Sequence, residues 1–148
     1  MNTSTILYDL GYSELKSPAL LLDAVRALDA LLVDCRFKPS SRDPRYRYNY
    51  LAKRLGPQYI HLPSLGNRNF RGGPIEIVDL DAGLENIRNF LENSHVILMC
   101  GCWNREECHR KLIVQVFSAR YGIRSIPITR QIAVELAADR QMAFFQEQ

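Results

Sequence analysis

The fold of this chain can be read outward from Val96-Ile97-Leu98-Met99-Cys100-Gly101-Cys102-Trp103-Asn104-Arg105-Glu106-Glu107-Cys108-His109-Arg110. The stretch opens with an apolar run of strand length, and two thiols, Cys100 and Cys102, follow it at once. Asn104 can accept a backbone N–H, and Glu107 stands three residues later, which is the pattern of a capping box. The stretch therefore predicts a strand that ends in a thiol-bearing turn and continues into a helix.

The predicted helix start gives this turn its chemical character. Unpaired N–H groups and the positive end of the helix dipole favour an anion there, either a bound phosphate or a thiolate. Three of the four cysteines, Cys100, Cys102 and Cys108, fall within nine positions, a clustering that core packing does not require. We therefore expect the functional site at this turn.

The composition is that of an ordinary globular domain. The chain has 148 residues, and we expect a single domain over 1–148. The net charge of +3 is too small to indicate nucleic-acid binding by itself. The charge is uneven, however, because five basic residues between Arg36 and Arg47 face one acidic residue, Asp43, and Arg68 and Arg71 follow.

The chain shows neither a secretory leader pattern at its start nor an apolar run long enough to cross a bilayer. We expect a cytoplasmic protein with no membrane partner. In that reducing compartment, four cysteines favour free thiols, a metal site or redox chemistry over structural disulfides.

Strand and helix patterns alternate along the chain. Apolar runs predict strands over 5–9, 31–35, 58–62, 95–99 and 123–128. Helices are predicted after Ser17-Pro18, over 48–55, after Asp79, over about 105–121, and from 129 onward with Ile132, Leu136 and Phe144 facing inward. The alternation predicts an α/β fold with a mainly parallel sheet of about five strands and helices on both faces, a three-layer sandwich.

In such a sheet, ligands bind beyond the carboxyl ends of the strands, near the switch in strand order. The loops at that edge carry the residues that we select for chemistry. The candidate binding residues are Ser13, Asp34, Arg36, Ser41, Arg42, Arg68, Cys102, Trp103 and Arg110, and the candidate catalytic residues are Cys100, Cys108 and His109.

Four motifs occur in a fixed order: Gly11-Tyr12-Ser13; Asp34-Cys35-Arg36 with Pro39, Ser41-Arg42 and Pro44; Leu65-Gly66; and Cys100 with Cys108-His109-Arg110. Together they resemble the domain of unknown function 488 (DUF488) family. The resemblance covers most of the chain and implies a compact α/β domain, but it implies little about function because the family lacks an established activity. The chain departs from the family pattern at Cys35, where valine is frequent, and at Cys102, where glutamate is common.

A zinc site is one interpretation of Cys100, Cys102, Cys108 and His109, since zinc takes thiolate and imidazole ligands in a tetrahedral arrangement. The spacing is unfavourable, because a C-x-C pair followed by adjacent Cys and His differs from the usual paired knuckles. Neighbouring residues on a helix also point about 100° apart. We therefore expect no metal site and no cofactor.

Our leading hypothesis is a cysteine-dependent enzyme that acts on a phosphate-bearing substrate, such as a nucleotide or nucleic acid. Cys100 is its candidate nucleophile, with a lowered pKa, and His109 its candidate acid and base; Arg36, Arg42 and Arg110 are the candidate anion clamps. No arginine stands six positions after Cys100 or Cys102, so the analogy with phosphatase-like loops is architectural only. A non-catalytic nucleotide or nucleic-acid binding module is the alternative, and a redox or metal-binding domain comes third.

Each selected group also has a purely structural interpretation. Asp34 and Arg36 can form an ion pair that holds the loop after the second strand. Cys35 and Cys108 can simply pack, and His109 can serve a local hydrogen bond. Tyrosines 46, 48 and 50 fit a half-buried helix as well as a base-stacking surface.

Overall fold

The apolar run before Cys100 forms the central strand of a parallel sheet. In a computed structural model, which describes residues 4–102 and 105–146, five strands are present: β1 (Leu7–Gly11), β2 (Ala30–Asp34), β3 (Tyr59–His61), β4 (His95–Cys100) and β5 (Ile126–Pro127). Their order is β3-β2-β4-β1-β5, and all neighbouring strands are parallel. This confirms the predicted α/β fold.

Helices cover both faces of this sheet. They are α1 (Tyr12–Leu15), α2 (Pro18–Leu28), α3 (Tyr48–Leu55), α4 (Leu80–Phe90), α5 (His109–Tyr121) and α6 (Arg130–Gln146). Successive side chains of a strand point to opposite faces. Accordingly, Ile97 and Met99 of β4 belong to a core with α2 and α3, whereas Val96 and Leu98 belong to a second core with α4 and α5. The predicted three-layer arrangement is therefore confirmed.

The connections from β1 and β4 leave these adjacent strands for opposite sides of the sheet. The chain passes from β1 through α2 to β2, and from β4 through α5 to β5. The crevice of a parallel sheet opens where neighbouring crossovers diverge in this way. In the register of the two strands, Gly11 lies opposite Cys100, so the loops after β1 and β4 meet at this crevice.

Local signals placed the helix starts well, with one exception. Ser17 accepts the Leu20 N–H and Asp79 accepts the Ala82 N–H, as predicted for N-caps. The predicted start near Arg105 is wrong: a 3-10 turn covers Arg105–Glu107, and α5 begins at His109 with Cys108 as its N-cap. Asn104, the predicted cap, lies outside the described residues.

Two further expectations are corrected at the carboxyl-terminal end of the chain. The fifth strand is only two residues long, since it pairs with β1 alone at the edge of the sheet. Phe144, predicted to face inward, is 58% exposed, because α6 packs against α2 and, among the residues that the structure describes, buries only Ala133 near its start. No helix in the described ranges combines the length and the apolar character that crossing a membrane requires.

Candidate functional site

The carboxyl end of β4 carries three neighbouring thiols, here called the thiol cluster: Cys100, Cys102 and Cys108. Their Sγ atoms all lie within 4.8 Å of one another, and the Sγ atoms of Cys100 and Cys108 are 2.8 Å apart. Cys100 is 1% and Cys108 2% exposed, whereas Cys102 is half-buried. Cys102 is therefore the member of the cluster that a ligand reaches first.

The absence of a side chain at Gly11 makes room for the cluster. A Cβ atom there would lie 2.1 Å from the carbonyl oxygen of Cys102 and 2.7 Å from Nη1 of Arg110. The hydroxyl of Ser13 donates a hydrogen bond of 2.5 Å to the carbonyl oxygen of Gly101. Ser13, predicted to bind a ligand, thus fixes the turn that carries Cys102.

Arg110 is buried beneath the cluster with 1% exposure. Its Nη1 donates to Sγ of Cys100 at 3.4 Å, and its Nε forms an ion pair with Oδ1 of Asp9 at 3.0 Å without hydrogen-bond alignment. Asp9 also accepts from Arg105 at 2.9 Å and from Ser125 at 2.7 Å. The structure thus places Arg110, a predicted anion clamp, between Asp9 and the thiols, with its side chain almost completely buried.

Sequence reasoning missed Asp9. The apolar pattern predicts a strand over 5–9 that ends at Asp9, whereas β1 spans Leu7–Gly11 and holds Asp9 in its middle, fully buried. An acidic residue inside an apolar run is the signal that could have found it, since a buried carboxylate requires a cationic partner.

The ionised member of the cluster is Cys102. Hydrogen bonds from the thiols of Cys100 and Cys108, and then the charge of Arg110, hold the pKa of Cys102 well below that of a free thiol. The hydrogen bond to Cys102 raises the pKa of Cys100, and hydrogen bonds to both other thiols raise that of Cys108. The expected low pKa of Cys100 is therefore wrong, because Cys100 is a donor to the thiolate. Burial raises the pKa of Cys35.

His109 serves Cys108. Its Nε2 lies 2.9 Å from the carbonyl oxygen of Cys35, and its Nδ1 lies 3.8 Å from Sγ of Cys108. A carbonyl oxygen only accepts, so Nε2 carries the proton and Nδ1, beside Cys108, carries none. The predicted acid and base is thereby held against Cys108, although the ring also lines the cleft described below.

Asp34 and Arg36 form the structural ion pair that was the second interpretation of these residues. Asp34 is fully buried and accepts from Nε and Nη2 of Arg36 at 2.9 and 2.7 Å, and from the hydroxyl of Tyr59. Arg36 also donates to the carbonyl oxygens of Ser40 and Tyr46, at 3.3 and 2.7 Å. Its guanidinium thus holds the loop after β2, and few of its N–H groups remain for a ligand.

A basic cleft of about 940 Å³ opens above the cluster. Cys100, Cys102 and His109 lie on one side of it, and four exposed cations line it elsewhere: Lys38, Arg42, Arg47 and Arg71. Arg42 and Arg71 form no ion pair with any residue that the structure describes. Both lie in the loops whose basic character the sequence revealed.

The remaining predicted binding residues fall in different places. Ser41 lines the cleft beside Arg42. Arg68 does not, because it turns to Glu76, with Nε 3.8 Å from the carboxylate. Phe70, which sequence reasoning did not select, lines the cleft with its ring 47% exposed. Trp103 lies outside the described residues.

The three sulfur atoms are closer together than the sequence spacing suggested, and their separation is compatible with a single thiophilic cation. Structural zinc sites take four ligands, however. Among the residues that the structure describes, no histidine or carboxylate joins the three thiols in such a group.

Comparisons with known protein families, with curated proteins and with solved structures found no match to this chain.

The buried pair of Asp34 and Arg36 can be tested against its exposed counterpart. Asp43 and Arg45 have the same Asp-x-Arg spacing and the same pair of hydrogen bonds from Nε and Nη2 to the carboxylate, but Arg45 is 57% exposed. Asp34→Asn leaves a buried guanidinium unpaired, so we expect it to lower the free energy of unfolding by about 3 kcal/mol. We expect a much smaller loss for Asp43→Asn. Urea unfolding measures both; equal losses would show that Asp34 does not anchor the loop.

The thiolate assignment predicts a distinctive pH profile. A lowered pKa keeps Cys102 ionised across neutral pH, so its alkylation by iodoacetamide should be nearly constant between about pH 6 and 8. The rate for an ordinary thiol rises about tenfold per pH unit below its pKa. Peptide mapping identifies the labelled residue. First labelling at Cys100, or a tenfold rise per unit at Cys102, would contradict the assignment.

Proposed function

We propose that this protein is a cysteine-dependent enzyme that acts on a phosphate-bearing substrate, with Cys102 as its nucleophile. The observation that carries the proposal is the position of Cys102. It is the most accessible of the three clustered thiols, it has a lowered pKa, and it opens on a cleft lined by four exposed cations. The proposed nucleophile thus lies two residues after Cys100, the candidate that the sequence favoured.

The lining of the cleft supports a nucleotide or a single strand of nucleic acid as the substrate class. Lys38 and Arg71 lie over the ring of Phe70, at 5.9 and 5.4 Å from its centroid. Phe37 lies beside Phe70 with the ring centroids 6.1 Å apart. Exposed aromatic rings stack on bases while flanking cations bind phosphates, and this combination occurs in proteins that bind single strands.

The chemistry that follows is nucleophilic displacement at phosphorus. The thiolate of Cys102 gives its electron pair to phosphorus, the bond from phosphorus to the leaving oxygen breaks, and that oxygen takes up a proton from water. A second water then attacks phosphorus, the P–S bond breaks, and phosphate is released with Cys102 restored as a thiolate. Arg110 and the thiols of Cys100 and Cys108 stabilise the thiolate before attack and after release.

We also propose that the chain is related to the domain of unknown function 488 family. Three of the motifs that resemble it, those around Gly11, Asp34 and Cys100, end on the adjacent strands β1, β2 and β4 and so lie at one edge of the sheet. Cys102 occupies the position where that family commonly has glutamate. A thiolate carries the same charge as a carboxylate, so the substitution preserves an anion beside Arg110.

A non-catalytic binding module is the second candidate. The cations of the cleft favour it as much as they favour an enzyme, since binding needs Arg42 and Arg71 but not the thiolate. The two candidates differ in what happens when Cys102 is replaced.

Binding is tested with neighbouring arginines that differ in position. Arg71 lines the cleft, whereas Arg68 in the same loop is paired with Glu76. We expect Arg71→Ala to weaken binding of a fluorescent single-stranded oligonucleotide and to reduce the log–log salt slope by about 0.7, because one phosphate contact is lost. Arg68→Ala is the matched control and should change little. Equal losses of affinity in the two variants would contradict the proposed binding site. If neither the oligonucleotide nor inorganic phosphate binds at low salt, a phosphate-bearing ligand is excluded.

Catalysis is tested by replacing the nucleophile. We expect Cys102→Ser to keep oligonucleotide affinity and to lose at least about a hundredfold in hydrolysis of a phosphoester panel that includes nucleotides and p-nitrophenyl phosphate, because a serine hydroxyl is not ionised at neutral pH. Cys35→Ala keeps the cluster intact and serves as the control. Full activity of Cys102→Ser would exclude this nucleophile. Binding without turnover by the wild-type protein would favour the binding module.

A further inference from the structure

The thiol cluster contains more thiols than nucleophilic attack requires. One thiolate suffices for the proposed hydrolysis, yet two further thiols lie within 4.8 Å of it and are almost completely buried. We infer that the cluster is also a two-electron redox centre, which reduces a hydroperoxide at Cys102 and stores the oxidation as a disulfide between Cys100 and Cys108. This inference does not rest on the proposed hydrolysis.

Access determines which sulfur reacts first. Cys102 is half-buried on the wall of the cleft, whereas Cys108 is 2% exposed. A small peroxide entering the cleft therefore meets Cys102. The sulfur attacks one peroxide oxygen; the S–O bond forms as the O–O bond breaks, and the departing oxygen takes up a proton to leave as water or an alcohol. Cys102 is oxidised by two electrons to a sulfenic acid, and the peroxide is reduced.

Cys108 is placed to resolve that sulfenic acid. Its sulfur attacks the sulfur of Cys102, forming an S–S bond as the S–O bond breaks. Nδ1 of His109, 3.8 Å from Sγ of Cys108, accepts the thiol proton and returns it to the departing hydroxide, which leaves as water. The hydrogen bond between Nε2 of His109 and the carbonyl oxygen of Cys35 holds the ring in the position that this step requires.

Cys100 then moves the oxidation inward. Its sulfur, 2.8 Å from Sγ of Cys108, gives its proton to water in the cleft and attacks Sγ of Cys108, so that an S–S bond forms as the bond to Cys102 breaks and Cys102 leaves as a thiolate. The sulfurs must approach to about 2.05 Å in the new bond. Arg110, whose Nη1 is 3.4 Å from Sγ of Cys100, stabilises the charge on the attacking sulfur. Exchange proceeds towards release of the most acidic thiol, so Cys102 is the preferred leaving group.

The result is an oxidised protein in which the disulfide is buried and Cys102 is again a thiolate. An external dithiol cannot reach the buried pair directly. Reduction therefore runs in reverse: Cys102 attacks Cys108, and the dithiol then attacks the exposed sulfur of Cys102. Cys102 is the entry point in both directions.

The test uses the full chain, treated with a chelator and then with a small excess of hydrogen peroxide, with no phosphate substrate present. Mass-spectrometric peptide mapping under non-reducing conditions should find Cys100 linked to Cys108 and Cys102 still open to alkylation. Cys102→Ser should slow formation of this disulfide at least about tenfold, since a buried thiol is a poor entry point. Cys35→Ala should not change the rate.

Trapping separates the steps. Serine is a good N-cap, so Cys108→Ser retains the start of α5 and should accumulate a sulfenic acid on Cys102 that dimedone labels. Cys100→Ser should stop at a disulfide between Cys102 and Cys108. An unchanged oxidation rate in Cys102→Ser, a first disulfide that involves Cys35, or resistance of the wild-type thiols to peroxide would overturn the inference. None of these outcomes bears on hydrolysis, which is measured separately on phosphoesters.

Discussion

The site depends on the burial of Arg110. Its guanidinium is 1% exposed, and the nearest carboxylate, Asp9, is shared with Arg105. Two cations thus face one carboxylate, and Arg105 is itself only 29% exposed. A buried charge without compensation costs several kcal/mol, so an additional anion nearby is strongly favoured. The thiolate of Cys102 supplies it through the thiol cluster. The pKa of Cys102 is lowered first by the hydrogen bonds from Cys100 and Cys108 and then by the charge of this buried arginine.

Close approach of β1 and β4 makes this arrangement possible. Their register sets Gly11 beside Cys100, and only a glycine leaves space for the carbonyl oxygen of Cys102 and for Nη1 of Arg110. Two positions earlier on the same strand, Asp9 reaches the other side of the guanidinium. The strand pair therefore positions the cation, its carboxylate and the turn of thiols together. Arg36 acts separately, because Asp34 and the carbonyl oxygens of the following loop use most of its donors.

The sequence was sufficient for the fold and for the edge of the sheet where the site lies. Unalternating apolar strands predict a covered parallel sheet, and a parallel sheet brings the loops after its strands to one edge. The sequence did not show, however, which of two residues of the same type is buried, and burial determines their different roles. Arg42 is exposed in the cleft, whereas Arg36 lines the same cleft but is buried and paired with Asp34, although both stand in one basic segment. Likewise Cys100 and Cys102 are separated by one residue, yet only the hydrogen-bond direction within the cluster determines which is ionised. Phe144 has the helical spacing of an inward-facing residue, but it lies near the end of α6, where its side chain is exposed.

The nature of residue 102 links the two proposed activities. A glutamate there, which is common in the family to which we propose a relation, would also balance the charge of Arg110 and accept hydrogen bonds from Cys100 and Cys108. It would leave the neighbouring thiols as a buried pair with no accessible sulfur in contact, because a carboxylate is not oxidised by a peroxide. A cysteine combines the required negative charge with nucleophilic and redox chemistry. Either residue supplies a negative charge beside Arg110. Only a thiolate can also exchange disulfide bonds between the buried sulfur pair and a reactant in the cleft.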